Sequence, residues 1–461
     1  MDYKEKLREI LSVKFDNAFG LDIGDGSVEI IQLQKFFRYS ITTYGREELS
    51  AGVVENGRIL DPNALAESLK KLLRNAKPKR VSTNKVIVSL PESQVFTNSF
   101  EVDSKLKAGA LSNVILEKVG LSMLVNVDKT YWDYMVSPLP DKTKKLVTFF
   151  CVPKEIANSY VKFCNSIGLE VVSLCLEPLS LARVILKSAS RQSLIIDIGS
   201  GATNLNFFDS NDKLNVSITL PVAGEQMTKA IMDRLKIERD EAETLKVKFG
   251  FQDVPENTIR PIIQPVFEDI MSEIKSAITY YEESFKQKLD DIYLIGGSAL
   301  LPGLLEAMRV GLARTVVFGA CTHNIDFTVM TGKNNQFVLF ANVLGLGILG
   351  SSTGYRDINF LKKMPRVESN SVNKLNLLKL GYLSKVNTLR TIMNNKLILI
   401  LMIAVIATIF YFMLLQIESY EKKLVEENTL SEVLLPSPVS RGGVLSTSTE
   451  ANIISTSTII K

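Results

Sequence analysis

The sequence predicts an α/β protein built from two related lobes, and three observations carry that prediction. Between residues 19 and 350, short apolar runs such as KVIVSL, KLVTFFCV, SLIIDI and DIYLIGG alternate with longer helical patterns such as NALAESLKKLLRNA and ITYYEESFKQKL. Strands interleaved with helices imply sheets covered by helices. Residues 21–33, LDIGDGSVEIIQL, have a counterpart in residues 196–208, IDIGSGATNLNFF, so Asp-Ile-Gly-x-Gly recurs 175 positions later. A third glycine turn, Gly296-Gly297-Ser298, closes a strand-like run within residues 292–304, IYLIGGSALLPGL.

Composition bounds the function. A chain of 461 residues has room for two or three domains at roughly one per ~150 residues. Its 54 basic and 50 acidic residues leave a net charge of +4, which is no field for holding nucleic acid. Cys151, Cys164, Cys175 and Cys321 show no paired spacing, and with His323 as the single histidine they make no zinc site; they read as reduced core residues. The opening MDYKEKLREILSVKFD lacks the apolar stretch of a secretory signal, so the first domain is expected in the cytoplasm.

A strand, a tight glycine turn and a returning strand, occurring twice, predict one such hairpin in each lobe. The chemistry of the repeat is that of an anion clamp. Glycines let the backbone approach a phosphate, successive N–H groups point at it, and the aspartate stands where a hydrated divalent cation would bridge phosphate oxygens. A single Asp-x-Gly-x-Gly also occurs in ordinary hairpins; two copies in one α/β frame imply a polyphosphate held from both sides. Gly345-x-Gly347-x-x-Gly350 matches a dinucleotide fingerprint in form only, because it ends the apolar helical stretch FANVLGLGILG with no strand before it. Close helix packing is the expectation there. No glycine-rich run ends in Gly-Lys-Ser/Thr, so a Walker A loop is absent.

This three-part pattern resembles the actin, Hsp70 and sugar-kinase superfamily over residues 15–350. The resemblance implies an actin-like ATPase fold of two ribonuclease-H-like lobes that binds ATP with Mg²⁺. Asp22 and Asp197 would then act in catalysis by positioning the metal, while Gly24, Gly26, Ser27, Gly199, Ser200, Gly201, Ala202 and Thr203 would hold phosphates. Leu176-Glu177-Pro178-Leu179 looks like the connecting helix in which an acid orients the attacking water. Glu177 is equally explained as a carboxylate at a helix N-terminus. Gly224-Glu225, with Glu243 and Lys246 in EAETLK, resemble the segments beside ribose and adenine; a surface ion pair three residues apart explains Glu243 and Lys246 almost as well. Gly296, Gly297 and Ser298 would let an adenine lie flat.

Within that superfamily the likeness narrows to the PilM family of type IV pilus assembly proteins. FGLDIGDGSVEIIQL, VIVSLPESQVFTNSFEV, TFFCVPKEIANSYVKFCNSIGLEVVSLCLEPLSLARV and ITLPVAGEQMTKAI follow it in order. This implies a subdomain of the FtsA/PilM type inserted at residues 85–165 of a domain spanning 1–350. Glu29 stands where the family usually has Lys, and an anion beside the first phosphate loop is expected to weaken the hold on a polyphosphate. Ile358-Asn359-Phe360-Leu361, followed by Met364-Pro365, is similar to the Ile-Asn-Leu-Leu-Pro peptide by which PilN docks into PilM.

Residues 397–415, LILILMIAVIATIFYFMLL, contain nineteen uncharged residues, close to the ~20 that cross a bilayer as a helix. A transmembrane helix is expected at 396–417. Residues 362–396 carry eight Lys/Arg against Glu368 alone, so the large N-terminal part should stay inside and residues 418–461 outside, as a single-pass protein of the inner membrane. The linker 351–395 would hold the PilN-like motif and a basic amphipathic segment at 374–393. The tail, rich in Ser, Thr, Gly and Pro, is expected to be disordered. The expected function is a nucleotide-responsive scaffold of the pilus assembly platform. Its expected partners are PilN-, PilO- and PilC-like proteins and assembly ATPases, with self-association through the PilN-like motif. An FtsA-like division filament and an ATPase or kinase valued for turnover are the rivals.

Overall fold

The computed structural model describes residues 18–35, 38–122, 126–139, 141–187, 191–330, 336–351 and 358–364, together with Thr408 and Tyr411. The chain divides into two compact units, Met1–Asn370 and Ser371–Lys461, and every element named below lies in the first.

In chain order the first lobe starts with β1 (Phe19–Ile23), β2 (Ser27–Lys35) and β3 (Tyr39–Glu48), an antiparallel meander. A short hairpin of β4 (Val54–Glu55) and β5 (Arg58–Ile59) leads to α1 (Pro62–Asn75), then β6 (Lys77–Pro78) and β7 (Lys85–Leu90). The first helix starts where local chemistry favours it. Asp61 caps it by accepting from Asn63 N and Ala64 N at 2.9 and 3.0 Å, and Pro62 fills the first turn. Leu65, Leu69 and Leu72 recur every turn and are buried on one stripe facing the sheet.

An inserted layer follows: β8 (Phe96–Asp103), α2 (Ala108–Ser122), β9 (Thr130–Pro138) and β10 (Lys144–Pro153). Its sheet order is β8-β10-β9, and it has its own core of Val102, Leu111, Ile115, Val119, Val147, Phe149 and Cys151. The insertion is thus narrower than the expected 85–165. β7, an unbroken apolar run, pairs in parallel with β1 inside the first lobe's main sheet. At the other end, α3 (Lys154–Ser166) buries Ile156, Tyr160 and Phe163 in the main core.

The chain then re-enters the first sheet as β11 (Glu170–Leu176) and runs without a break into α4 (Glu177–Ile185). The second lobe repeats the pattern: meander β12 (Ser193–Ile198), β13 (Thr203–Phe208), β14 (Leu214–Leu220), then α5 (Gly224–Leu235), α6 (Arg239–Phe249), α7 (Arg260–Phe285), β15 (Asp291–Ile295), α8 (Leu304–Leu312) and β16 (Val316–Phe318). β17 (Ile325–Asp326) returns to the first sheet beside β3, and α9 (Gln336–Gly350) closes the domain. The two sheets read β11-β7-β1-β2-β3-β17 and β14-β13-β12-β15-β16. In each, a meander adds parallel strands beside its first member, so the duplicated motif builds the same corner twice. Even the register repeats: Asp22 opposes Glu29, and Asp197 opposes Asn204.

α9 carries Gly345, Gly347 and Gly350 against its neighbours. A Cβ at Gly345 would lie 2.0 Å from Ser180 O of α4, one at Gly347 2.8 Å from Ile31 Cγ2, and one at Gly350 2.3 Å from Ala18 O. These glycines permit close helix packing, as expected, and form no dinucleotide turn. The four cysteines are free thiols, three of them buried. Among the described residues no helix is long and apolar enough to cross a membrane. The span expected at 396–417 lies outside them apart from Thr408 and Tyr411, as do the amphipathic segment 374–393 and the tail.

Candidate functional site

Two matching turns face each other where the lobes meet. In the β1–β2 hairpin Gly24 N–H donates to Ser27 O at 2.9 Å, and in the β12–β13 hairpin Gly199 N–H donates to Ala202 O at 3.0 Å. The loops touch: a Cβ at Gly26 would stand 3.4 Å from Ser200 Cβ, and one at Gly201 only 2.7 Å from Asp25 Oδ2. The first carries Asp22 at its base and the second Asp197, both partly open to the cleft.

A set of carboxyls surrounds this junction. Burial pushes the Asp197 carboxyl up to about 7, and the Asp22 charge adds to the rise. Burial likewise raises Asp22, eased by hydrogen bonds from Asn342 and Ser89. Glu177, in the first turn of α4, is held well above the ordinary range by burial and then by the charges of Asp22, Glu92 and Asp197. Glu92 is raised chiefly by burial. Among the described residues the salt bridges of the cleft join Glu29 to Arg46, Glu225 to Arg239 and Glu243 to Lys246, and leave Asp22, Glu92, Glu177 and Asp197 without one. Desolvated carboxyls that repel one another without a counter-charge are the setting a divalent cation relieves. No group of three metal-ligating side chains converges among the described residues. A cation at Asp22 and Asp197 would therefore keep water and phosphate oxygens for most of its shell, the habit of Mg²⁺.

The third glycine turn joins the second. Ser298 Oγ donates to Gly199 O at 2.7 Å, and Gly296 adopts φ +93°, with the space a Cβ would need taken by Asp197 Oδ1 at 2.3 Å. Gly224 N–H donates to Gly199 O and Glu225 N–H to Ser200 O at 3.3 and 2.8 Å, which fixes the start of α5 on the second loop. Gly24, Gly26, Gly199, Ser200, Gly201, Ala202, Gly224, Gly296, Gly297 and Ser298 thus share one region.

Several of the expected ligands have their side chains held by hydrogen bonds within the protein. Thr203 is fully buried and its hydroxyl donates to Val222 O at 2.7 Å, so it anchors the end of the β13–β14 hairpin and has no hydrogen free for a phosphate. Ser27 donates to Glu29 Oε1 at 2.6 Å. Glu225 accepts from Arg239 at 2.8 and 3.1 Å. Lys246 is 4% exposed and donates to Gly224 O and Thr228 Oγ1 while pairing with Glu243 at 2.7 Å. This is a buried brace under the start of α5, not the surface pair considered from spacing. Glu29 is also altered by its surroundings: the Arg46 guanidinium on β3 lies 2.7 Å away, so its charge meets a cation before any phosphate.

Sequence reasoning missed four residues. Asn342 on α9 donates to Ser89 Oγ at 3.1 Å, and Ser89 donates to Asp22 Oδ1 at 2.9 Å. A lone polar residue inside each of two apolar runs, VIVSL and FANVLGL, was the available signal. Glu92, 6% exposed in the short 3-10 turn that follows β7, crosses to the other lobe by accepting from Asn206 Nδ2 at 2.9 Å and Ser217 Oγ at 3.1 Å. Asp25 is the fourth.

A second site lies on the far side of β11. Ile358 and Phe360 are buried, the latter completely. Asn359 Oδ1 accepts from Leu174 N at 3.0 Å and Leu361 N at 3.1 Å. Lys363 Nζ stands 5.5 Å from the Trp132 ring of the inserted sheet. All four residues of the motif therefore pack on the chain's own first lobe, three residues before Glu177.

The family model for type IV pilus assembly protein PilM matches residues 20–329. Cell division protein FtsA of Streptococcus pneumoniae serotype 2 (strain D39 / NCTC 7466) is 25% identical over 331 residues, covering 62% of this chain and 72% of that protein. FtsA of Bacillus subtilis (strain 168) is 23% identical over 248 residues, and the match spans 48% of this chain and 50% of the relative. Among solved structures, a chain of a PilM–PilN type IV pilus biogenesis complex superposes with a TM-score of 0.62 at 20% identity, over 73% of this chain and 99% of that one. The duplicated sheets and this superposition share the actin-like fold.

Proposed function

This chain belongs to the PilM family of type IV pilus assembly proteins, and from that premise we propose that it is a nucleotide-responsive scaffold of the inner-membrane assembly platform. The observation that carries the reading is the meeting of two Asp-Ile-Gly-x-Gly turns, one from each lobe, at a cluster of desolvated carboxyls. A Mg²⁺-bound nucleotide placed there contacts both lobes and stabilises the arrangement that brings them together. Asp22 and Asp197 would hold the cation, which neutralises phosphate charge when bound. The loop backbones would hold phosphates, Gly296 to Ser298 would back the base, and Glu177 would face the phosphate chain. Coverage of residues 20–329 by the pilus family favours this role over the FtsA-like rival.

Residues 358–361 serve in this reading as a PilN-like docking peptide bound in cis. Burial of Ile358 and Phe360 supplies the affinity, and Asn359 fixes the register on β11. Tethering places the peptide at an effective concentration in the millimolar range. The full-length chain with Phe360→Asp and Leu361→Asp should have a vacated groove. A labelled 355–366 peptide should bind that variant at least about tenfold more tightly than the wild-type chain, by fluorescence anisotropy, and the same peptide carrying both aspartates should not bind. Identical binding of the two peptides would remove the groove from the proposal.

The apolar stretch at 397–415 and the basic residues before it support a single-pass anchor with the tail outside. A compartment-sensitive reporter fused after Lys461 is expected to signal an extracytoplasmic position. Activity of a cytoplasm-only reporter at that site would overturn this topology.

A further inference from the structure

Asp25 stands where the first anion loop meets Gly201 of the second, and nothing in the cation scheme uses it. In the duplicated motif its counterpart is Ser200, a neutral hydroxyl. Both Asp25 oxygens are engaged, Oδ2 by Asn56 N–H and Oδ1 by Gly57 N–H, each at 2.9 Å. The turn that supplies those donors is itself locked. Asn56 O accepts from Ser93 Oγ at 3.0 Å and Gln94 Nε2 at 2.8 Å, and Gly57 O accepts from the buried Tyr160 hydroxyl at 2.9 Å. The carboxylate is therefore a fixed part of the first loop, aimed at Gly201, where even a Cβ would come within 2.7 Å of Oδ2.

In the nucleotide reading, the terminal phosphate of a polyphosphate gripped by both loops would enter the gap in which the Gly24–Ser27 and Gly199–Ala202 turns approach each other. We propose that Asp25 fills the seat of a terminal phosphate, so that this cleft holds a nucleoside diphosphate in preference to a triphosphate. Two things oppose the third phosphate: the volume is taken, and its oxygens would lie against a carboxylate in a partly desolvated junction, where like charges repel strongly. A diphosphate leaves the gap to Asp25 and keeps the proposed cation at Asp22 and Asp197. The proposal rests on the cleft being a nucleotide site and specifies which nucleotide it retains.

Calorimetry on the full-length chain with Mg²⁺–ADP and with the non-hydrolysable Mg²⁺–AMPPNP tests it. Wild type should favour ADP by at least about tenfold. Asp25→Ser, which installs the second loop's residue, and Asp25→Asn, which keeps the shape and one of the two oxygen acceptors for the Asn56–Gly57 turn, should both move the ratio at least about tenfold toward AMPPNP. If the serine variant fails to fold, the asparagine variant decides. AMPPNP binding wild type as tightly as ADP, or a ratio unmoved by the variants, would overturn the proposal and leave the cleft reading standing. No binding of either nucleotide would overturn both.

Discussion

Asp197→Ala is expected to abolish Mg²⁺-dependent nucleotide binding by the full-length chain while leaving the unliganded protein at least as stable as wild type at pH 8. The first half follows from coordination. Asp22 and Asp197 sit at the bases of facing loops, and removing Asp197 leaves a divalent cation only one of its two proposed protein ligands. A loss of at least about a hundredfold in affinity is expected, since even outer-shell partners of a bound metal contribute 10–100-fold. The second half follows from the sign of the perturbation. The Asp197 carboxyl is raised from 3.8 to about 7 in the folded protein by burial and then by Asp22. A raised acid contributes stability below its unfolded pKa, and that contribution is lost as pH climbs from about 4 to about 7. At pH 8 the ionised side chain therefore disfavours the fold, and alanine removes that cost. Calorimetry with and without Mg²⁺, paired with thermal melts at pH 8, separates the two effects. Unchanged Mg²⁺–ADP affinity would refute the assignment of the cleft.

Gly345→Ala should lower the melting temperature, although helix propensity alone argues the reverse. In an exposed helix the change stabilises by about 1 kcal/mol. At this position the new methyl would lie 2.0 Å from Ser180 O and 2.6 Å from Ser180 C, and both are backbone atoms of α4 that no rotamer change can move aside. Overpacking typically costs about 1–3 kcal/mol, and more where main chain must shift. A fall of about 5 °C or more is expected at about 2–4 °C per kcal/mol for a large domain. Gly347→Ala serves as the graded control, because its methyl would meet side-chain atoms only, Ile31 Cγ2 at 2.8 Å and Leu33 Cγ at 3.2 Å, and no main chain. Glu177 begins the same helix that Gly345 supports, so Gly345→Ala should weaken nucleotide binding as well. A melting temperature equal to or above wild type would show that α9 is free to shift.

Among these residues, what could be read in the chain was local. Asp-Ile-Gly-x-Gly inside an alternating strand specifies a hairpin with an acid at its base from neighbouring residues alone, and finding it twice was enough to predict two lobes and the α/β class. The same holds for the cap at Asp61 and for the apolar stripe that follows it. KVIVSL reads as a strand in either layer, and only pairing with Phe19, Gly20 and Leu21 assigns it to the first lobe.

By itself the sequence determined the duplicated hairpins, their acids and the third glycine turn, since each is set by residues within a few positions of one another. Tertiary structure alone decided which groups those acids meet. Arg46 neutralises Glu29 because β3 lies beside β2, Lys246 is a buried brace because α6 packs under the start of α5, and Glu92 reaches Asn206 from the other lobe. Asp25 faces Gly201 across 176 residues of chain. Charge and hydrogen bonding act over a few ångströms of space, and distance along the chain carries no record of which loops the fold will bring together.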